Sequence, residues 1–531
     1  MCGIAIAIGW PDAELTVQKL LQGIGHRGDV TDPVTILRKD TAMGTRRLRI
    51  VDCERAVQPQ LSFDRRLAIA LNGEIYNHCE LRRELQSLGV AFQTESDTEV
   101  LVNALQFWGL RALERFVGMY AFVAVDIASG EFLAARDPFG VKPLYVIQSG
   151  SGFVFCSEIR PLLETVPQGD VLLVPPGYMV TRAGCGRYKS LVYPRSDLPV
   201  PHDPAKLDEL LSEAVRLRLP PDLPVAILFS GGIDSTLVAH YARRHRPYAP
   251  CYFVGGVSAP DYPFAAEYAE LAGADLRVVP FDPDSEEVFL LLEQVIEVTE
   301  SFEPNLVRGA VCSLIAAEQM HRDGYRVALC GEGADELFCG YPPLELSFGD
   351  EGSDGHAIRD ECLLLMNRVS LQRVDRCSMR YQLEMREPFL DPAVVNYALA
   401  LDSGALVSEF EGLPRGKAPL RDIYNLHTDL PRSIRDRTKI PFGEGAGLNV
   451  TPQDSPWKRR FNDEISDAQF LEGRVEFSDF NIQSKEELFY IRSLARTMDI
   501  SRVPHLRDRA WISYSVGQNR QKLKAYAHFS L

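Results

Sequence analysis

The feature that most constrains the fold is a change in the spacing of apolar residues near residue 200. Before it, short runs alternate apolar and polar residues, which is typical of strands with one buried face. After it, unbroken apolar runs alternate with segments of helical period, which is typical of a parallel sheet covered by helices. Prolines interrupt both patterns in VYPRSDLPVPHDPAK (192–206). We therefore predict an α+β domain over 1–192, a linker over 193–204 and an α/β domain over 205–531.

The predicted elements can be read directly from the sequence. The N-terminal strands are CGIAIAI, RRLRIVD, RLAIALNGE, GMYAFVAVD, GEFLAARD, PLYVIQ and GFVFCSE, and the helices among them are CELRRELQSL and TEVLVNALQFW. The strands of the second half are PVAILF, PYAPCYFVGG, ADLRVVP and RVALCGEG, and its first helix is LDELLSEAVRL. The chain beyond about residue 356 is predicted to be mostly helical.

Composition excludes several classes of protein. The chain has 531 residues, of which 46% are hydrophobic, and no run approaches the roughly 20 apolar residues of a membrane span. A net charge of −16 argues against nucleic-acid binding, which normally needs a basic face. The eleven cysteines lack CxxC pairs, so we predict reduced thiols rather than a disulfide framework or a structural zinc site. IAIAI follows no basic segment and is too short for a signal peptide, which predicts a cytoplasmic location.

The N-terminal MCGI suggests a nucleophile. Removal of Met1 would leave Cys2 with both a thiol and an α-amino group, and an α-amine of pKa about 7.7–8.0 can accept the thiol proton near neutral pH. The alternative is that Cys2 only begins a buried strand.

Two further segments of the first half carry polar residues that a strand does not require. In LNGE, the Asn72 side-chain amide and the Gly73 backbone N–H are two potential donors to an oxyanion, although NG is also a common turn pair. In SDTE, Asp97 is a candidate ligand for a substrate amine, whereas Ser96 and Glu99 also fit a helix capping box.

Two glycine-rich loops in the second half each follow a predicted strand. SGGIDS (230–235) opens a helix, and its glycines and helix N-terminus suit a phosphate. The second loop is CGEGADELFCGY (330–341). Because both loops follow parallel strands, they are expected to face one crevice, where Asp234 and Asp335 would share Mg²⁺ on a pyrophosphate. For Asp335, the alternative is a helix N-terminal charge that complements the dipole.

The first half resembles the class II glutamine amidotransferase domain of the N-terminal nucleophile hydrolases. The resemblance covers about residues 2–165 and rests on MCGI, HRG (26–28), RRLRIVD, LNGEIYNH, SDTEV, RDPFGVKPLY and SEI, in that order. It implies an αββα sandwich in which Cys2 attacks the glutamine amide while Asn72 and Gly73 stabilise the oxyanion. HRGDV and RLRIVD depart from the family pattern at Asp29 and Arg49. The implied glutamine-binding residues are Arg47, Leu48, Arg49, Ile50, Val51, Asn72, Gly73, Glu74 and Asp97.

The second half resembles the synthetase domain of asparagine synthetases, an adenine nucleotide α-hydrolase-like domain. The resemblance rests on SGGIDS, GEGADELFCGY, SMRYQLEMREPFLD (378–391) and TKIPFGEG (438–445). It implies that ATP with Mg²⁺ adenylates a carboxylate and that ammonia then displaces AMP, with Glu332 assisting ammonia and Lys439 facing the phosphoryl charge. The implied ATP-binding residues are Leu228, Ser230, Gly231, Gly232, Asp234, Ser235, Val254, Cys330 and Gly331.

Several alternatives stay open. The expected partners are glutamine, ATP and a carboxylate acceptor, with no nucleic acid and no membrane; a homodimer is one possible assembly. Aspartate is the expected acceptor, but Glu387 replaces an apolar residue of the family pattern, so another carboxylic acid in a secondary pathway remains an alternative. A β-lactam-synthetase-like cyclase and a catalytically silent nucleotide-binding regulator are further readings. An apolar passage between the two sites is expected to carry ammonia.

Overall fold

The computed structural model describes residues 2–190, 200–349, 355–410, 412–448 and 455–508. In the N-terminal half, the strands are β1 (Cys2–Ile8), β2 (Val30–Thr31), β3 (Thr35–Arg38), β4 (Thr41–Arg47), β5 (Gln60–Leu61), β6 (Leu67–Ile75), β7 (Gly118–Asp126), β8 (Phe132–Arg136), β9 (Tyr145–Ser149), β10 (Gly152–Cys156), β11 (Leu172–Leu173), β12 (Tyr178–Thr181) and β13 (Gly184–Arg187). The helices are α1 (Ala13–Gly23), α2 (His78–Ser87), α3 (Asp97–Trp108), α4 (Ala112–Arg115) and α5 (Ile159–Thr165).

These strands form two antiparallel sheets. One sheet has the order β11-β9-β10-β1-β4-β2, with β3 also paired to β4, and the other has the order β13-β12-β8-β7-β6-β5. Alternation along β1 explains the layering: Ile4 and Ile6 enter the core between the sheets, whereas Ala5 and Ala7 pack with α1 and α5 on the outer face. Helices α2 and α3 cover the outer face of the second sheet. The predicted αββα sandwich is confirmed.

The boundaries of some predicted elements are wrong. RRLRIVD is predicted as a strand, but only Arg46 and Arg47 belong to β4, and the chain leaves the sheet at Leu48. The sequence pattern also predicts only two helices in this half, and the structure adds α1, α4 and α5. Helix α1 is amphipathic, and its buried face includes Val17, Leu20 and Leu21.

The second half follows the predicted alternation. Its strands are β14 (Val225–Leu228), β15 (Cys251–Val254), β16 (Leu276–Val279), β17 (Val327–Leu329), β18 (Glu384–Arg386), β19 (Ser408–Phe410) and β20 (Leu413–Arg415). Its helices are α6 (Pro204–Leu217), α7 (Ile233–His245), α8 (Tyr262–Ala272), α9 (Glu286–Thr299), α10 (Pro304–Arg322), α11 (Ala334–Leu337), α12 (Pro342–Gly349), α13 (Gly355–Leu365), α14 (Ser370–Arg380), α15 (Pro392–Ala400), α16 (Ser403–Leu406), α17 (Ala418–Tyr424), α18 (Arg432–Asp436), α19 (Phe442–Gly445), α20 (Pro456–Glu464), α21 (Asp467–Glu476) and α22 (Lys485–Thr497). Short 3₁₀ helices occupy Gly25–Arg27, Gly109–Arg111, Met366–Arg368, Pro388–Leu390, Ser478–Phe480, Ile500–Arg502 and Pro504–Leu506.

The main sheet of this half is parallel and has the order β16-β15-β14-β17-β18. Its two faces contribute to different cores: Ala226 and Tyr252 pack with α9 and α10, whereas Ile227 and Phe253 pack with α6 and α7. The predicted α/β domain with a largely helical C-terminal part is therefore confirmed. The loops after β14 and β17 lie side by side at one edge of the sheet, because these two strands are neighbours.

The connection between the halves is only partly described. Residues 193–199 of the predicted linker lie outside the described residues, Val200 makes an isolated bridge with Leu401, and α6 begins at Pro204. The boundaries 1–192, 193–204 and 205–531 stay a prediction. Among the described helices, none combines the length and apolar composition that a membrane crossing requires.

Buried ion pairs join the two halves. The fully buried Arg27 guanidinium donates to both oxygens of Asp375 at 2.9 and 3.1 Å, and Lys142 Nζ lies 3.3 Å from the same carboxylate. Arg376 contacts Glu158 at 2.9 Å. Because a buried charge is costly without a partner, these pairs tie the orientation of the sandwich to that of the parallel sheet.

Candidate active sites

The first candidate site lies at the start of β1. Cys2 is 5% exposed, and its backbone N–H donates to Asn72 Oδ1 at 3.2 Å across the sandwich. The Leu48 backbone N–H and Gln58 Nε2 both approach the thiol, the latter at 3.8 Å from Sγ. Burial raises the pKa of the Cys2 thiol to about 11, so a base must take its proton before it can act as a nucleophile.

Asn72 and Gly73 lie inside strand β6 opposite Ala121 and Tyr120, and the alternative of an NG turn is therefore wrong. Gly73 has φ +153°, and a Cβ there would meet Met119 O at 2.1 Å, so this close strand approach requires glycine. Asn72 Nδ2 is buried and has no hydrogen-bond partner in the described part of the chain. An unpaired buried donor next to a thiol suits a developing oxyanion.

Hydrogen bonds to more distant residues hold the side chains that surround the thiol. Arg47, opposite Cys2 in β4, donates from Nε to Asp32 at 2.9 and 3.1 Å. Gln58 accepts from Leu71 N at 2.7 Å, and its own backbone N–H donates to Asp32 at 3.0 Å. Gln58 therefore links the β6 strand, the Arg47–Asp32 pair and the thiol.

Asp97 and Glu74, two of the residues predicted to bind glutamine, both lie at strand β6, where it contacts the second half of the chain. Asp97 Oδ2 accepts from Ile75 N at 2.9 Å, and Glu74 accepts from Arg386 of β18 at 3.2 Å. Burial, reinforced by the nearby Asp97 charge, raises the pKa of Glu74 to about 8. Ser96 caps α3 by accepting from Glu99 N, but the Glu99 carboxylate accepts from Gln93 and Thr94 instead, so the predicted capping box is only half formed.

The two departures from the family pattern contact each other. Arg49 donates to Asp29 through its backbone N–H at 3.2 Å and through Nε at 2.9 Å. Arg326, just before β17, approaches Asp29 at 3.3 Å and donates to the Arg49 carbonyl at 3.1 Å. Asp29 and Arg49 therefore take part in a domain contact. Of the other residues in this loop, Ile50 is buried and Val51 is half-buried against the core that spans both halves.

The second candidate site lies at the carboxyl edge of the parallel sheet. Ser230 and Ser235 close the first loop, with their hydroxyls 3.1 Å apart and Ser230 N donating to Ser235 Oγ at 3.2 Å. Gly231 has φ +67°, and a Cβ there would meet Ala265 N at 2.7 Å. Gly232 precedes α7, so the helix N-terminus opens directly from this loop.

The structure brings the two glycine loops into contact. A Cβ on Gly331 would lie 2.8 Å from Asp234 Cβ, so only glycine lets the loops approach this closely. The remaining predicted ATP-binding residues lie at the same edge, where Leu228 ends β14, Val254 ends β15 and Cys330 follows β17.

Two carboxylates and two ammonium groups meet between these loops. Lys417 Nζ lies 2.6 Å from Asp234 Oδ2 and 2.5 Å from Asp335 Oδ1, and Lys439 Nζ lies 2.7 Å from Asp335 Oδ2. Although burial opposes it, the two lysines hold the pKa of Asp335 well below its usual range. Asp335 and Asp234 raise the pKa of Lys439 against the effect of its burial. Asp335 and Lys439 are therefore charged at neutral pH.

These residues open on a cleft of about 380 Å³. The cleft is lined by acidic side chains, basic side chains and residues of the first glycine loop. They are Ser230, Gly232, Ile233, Asp234, Asp261, Lys417, Arg421, Arg437, Thr438, Lys439 and Ile440. Arg437 donates to Gly231 O at 3.0 Å and also bonds Asp261. The arrangement suits a polyphosphate, because cationic side chains and a helix N-terminus converge on one cleft.

Two further glutamates follow the parallel strands β17 and β18. Glu332, on the second loop, accepts from the buried Arg373, which also lies over the Phe442 ring. Glu387 is 3% exposed, and burial raises its pKa to about 8 against the opposing charges of Lys142 and Arg218. Glu387 is thus surrounded by domain-interface charges, and its predicted role beside the acceptor stays a prediction.

Several candidate residues are not among those predicted from the sequence. They are Asp32, Gln58, Asp261, Arg373, Arg386, Lys417, Arg421 and Arg437. Lys417 lies far from both glycine loops in the chain and has φ +59°, an uncommon conformation for lysine that its N–H bond to Phe338 O helps to hold. Two of them had a nearby signal, because Arg437 precedes the TKIPFGEG segment and Arg386 lies within SMRYQLEMREPFLD (378–391).

A thiol site in an αββα sandwich, joined to a parallel sheet with a glycine-rich loop, defines a glutamine amidotransferase domain fused to a nucleotide-binding domain. The family model for the glutamine amidotransferase domain matches residues 1–171, and that for asparagine synthase matches residues 206–349 and 350–503. The chain belongs to the asparagine synthase family.

Individual relatives match most of the chain. Asparagine synthetase [glutamine-hydrolyzing] 2 of Oryza sativa subsp. japonica is 28% identical over 92% of this chain and 84% of its own length. Asparagine synthetase [glutamine-hydrolyzing] 3 of Arabidopsis thaliana is 28% identical over 92% and 86%. A solved structure of the allosteric regulatory enzyme of purine biosynthesis aligns at 21% identity and TM-score 0.32, over 48% of this chain and 65% of that chain.

Proposed function

We propose that this chain is a glutamine-dependent asparagine synthetase. It converts aspartate, glutamine and ATP to asparagine, glutamate, AMP and pyrophosphate. The observation that carries the proposal is the pairing in one chain of a buried thiol beside the unpaired Asn72 amide with a charged cleft at a glycine-rich loop. Membership of the asparagine synthase family supports the same reaction.

In the first site, Cys2 is the nucleophile. Removal of Met1 gives Cys2 its own α-amine, which takes the thiol proton. Sγ then attacks the amide carbon of glutamine, the Asn72 amide and Gly73 stabilise the oxyanion, and the C–N bond breaks as ammonia leaves with the proton. Water attacks the thioester, the C–S bond breaks, and glutamate is released. The pairs that Arg47 makes keep that side chain beside the thiol, where it suits the glutamine α-carboxylate.

In the second site, an oxygen of the aspartate side-chain carboxylate attacks the α-phosphorus of ATP and pyrophosphate leaves. The first loop and the α7 N-terminus cradle the phosphates, and Lys439 faces the charge that develops on them. Ammonia then attacks the acyl carbon, and the C–O bond to AMP breaks. Glu332 lies on the loop next to the cleft, where a carboxylate can take a proton from the attacking ammonia.

The carboxylates of this site fit Mg²⁺. Asp234 Oδ1 is buried and accepts no hydrogen bond from the described residues, and carboxylate oxygens are the ligands that Mg²⁺ prefers. Asp234 and Asp335 would hold the ion. Bound there with ATP, it would neutralise charge on the phosphates.

Ammonia has to pass between the domains. One buried apolar cluster contains residues of both halves, including Leu48, Met119 and Val141 from the sandwich and Phe229 and Phe389 from the second half. Its position supports an apolar route that keeps ammonia from water.

All eleven cysteines are free thiols in the structure, which supports a location in the reducing cytoplasm.

A different carboxylic acid is the second candidate acceptor. The observation that favours it is Glu387, a buried carboxyl group where the family pattern has an apolar residue. When ionised, this group would disfavour the doubly acidic aspartate and favour an amine-bearing acid. Because burial raises its pKa to about 8, this discrimination is expected to grow as the pH rises through that value.

Pyrophosphate release across a panel of acids distinguishes the two candidates. The purified chain is incubated with ATP, Mg²⁺ and glutamine, and with aspartate or another amino or carboxylic acid. We expect release with aspartate, together with equal amounts of asparagine and glutamate. Release with another acid and not with aspartate would transfer the proposal to that acceptor. No release with any acid would favour a silent nucleotide-binding regulator.

A further inference from the structure

A cluster of metal-ligand type lies outside both candidate sites. His240 is on α7, and His427 and Asp429 are in the connection between α17 and α18. One ligand atom from each of the three lies within 4.8 Å of the others, and the two imidazole centroids are 4.6 Å apart. His240 follows Ile233 by seven residues, which separates the cluster from the glycine loop by about 10 Å along α7.

His240 has an unused nitrogen. It is 5% exposed, and its Nε2 is buried without a hydrogen-bond partner in the described part of the chain. Its other nitrogen, Nδ1, lies 3.2 Å from Asp429 Oδ2, so the ring lies against the carboxylate of the cluster. A buried nitrogen without a partner is costly.

His427 is oriented as metal-bound imidazoles are. Its Nε2 lies 2.5 Å from Asp208 Oδ1, and Asp208 also accepts from Tyr241 OH at 2.5 Å. With the proton on Nε2, the lone pair of His427 is on Nδ1, where the exposed Arg244 guanidinium lies 3.2 Å away. A carboxylate that holds the other nitrogen is the usual outer partner of a metal-bound histidine. Arg244 is a cation on a flexible side chain that can move away.

We propose that His240, His427 and Asp429 bind a divalent ion of the zinc type, with Asp208 orienting His427. Two imidazoles and a carboxylate suit Zn²⁺ and disfavour Mg²⁺, which prefers oxygen ligands. The ion would act as a clip between α7 and the α17–α18 connection.

The clip would stabilise the cleft from outside. Along the chain, Lys417 and Arg421 precede the α17–α18 connection, and Arg437 and Lys439 follow it. All four residues line the cleft. Holding this connection against α7 fixes the cationic side chains relative to the phosphate loop. The binding itself requires neither glutamine nor ATP, so it can be tested independently of the proposed function.

The test is metal titration of the full chain, produced without a polyhistidine tag and stripped by a chelator. We expect one equivalent of Zn²⁺ by calorimetry and a higher melting temperature with the ion bound. Co²⁺ reports the ligands, because imidazole and carboxylate ligands give weak visible bands whereas thiolates give intense near-ultraviolet bands. His240→Gln and Asp429→Asn are expected to weaken binding by at least about 10-fold, and Arg244→Gln to tighten it.

The matched control is His245→Gln, an exposed histidine on the same helix, which should bind as the unaltered chain does. Variants are compared only after their metal-free melting temperatures are shown to match that of the unaltered chain. No stoichiometric binding, thiolate-type cobalt bands, or unchanged affinity in both His240→Gln and Asp429→Asn would overturn the site. An unchanged or weaker affinity in Arg244→Gln would overturn ligation through His427 Nδ1.

Discussion

Replacement of Cys2 by alanine is expected to lower glutamine hydrolysis by about 10³-fold or more, because the reaction loses its nucleophile. Asparagine formation from ammonium salts should persist at a rate close to that of the unaltered chain, because the charged cleft is a separate site. Alanine also keeps a small second residue, so removal of Met1 is not affected. The measurement is glutamate and asparagine production with either nitrogen source.

Cys79→Ala is the matched control, because this thiol is exposed on α2 of the same domain. It should leave both nitrogen sources in use. Glutamine-dependent synthesis that survives in Cys2→Ala would contradict the assignment of the nucleophile. Loss of the ammonia-dependent reaction as well, in a variant that melts normally, would contradict the separation of the two sites.

Replacement of Asp234 by asparagine is expected to lower pyrophosphate release by about 10²–10³-fold with both nitrogen sources, because it removes a charge aimed at the phosphates and their ion. The substitution is nearly isosteric and leaves Lys417 paired with Asp335. Glutamine hydrolysis, measured as glutamate, should be affected far less. The measurement is pyrophosphate release at saturating ATP, Mg²⁺ and aspartate.

Asp275→Asn is the control for this change, because Asp275 is an exposed carboxylate in the same domain that pairs with Arg277. A surface substitution of this kind should leave both reactions unchanged. Pyrophosphate release by Asp234→Asn at the rate of the control would refute the role given to the cleft.

The sequence was most informative where local pattern and packing agree. The alternation in CGIAIAI predicts β1, because its odd and even residues enter two different cores. The apolar run before SGGIDS predicts β14 for the same reason. Strand β18 was missed, because Glu384 and Arg386 make it polar. Those side chains are buried by pairing with each other and, across the domain boundary, with Glu74, and no local pattern contains that information.

The candidate sites show the same division. Cys2, Asn72 and the glycine loops are adjacent to strands that their own sequence predicts, so they could be proposed in advance. Lys417 and Gln58 join their sites only through distant pairing, with Asp234 in one case and with Leu71 in the other. At Asn72 and Gly73, strand pairing outweighs local preference. The NG sequence favours a turn, but the nine residue pairs between β6 and β7 keep it extended.

Transfer of labelled nitrogen tests the central claim most directly. The chain is incubated with ATP, Mg²⁺, aspartate and glutamine labelled with ¹⁵N in its amide, in the presence of excess unlabelled ammonium, and the asparagine is analysed by mass spectrometry. The account predicts that most of the asparagine carries the label, because ammonia passes from Cys2 to the cleft without mixing with solvent. Asparagine labelled only in proportion to the total ammonia, or no asparagine at all, would contradict it.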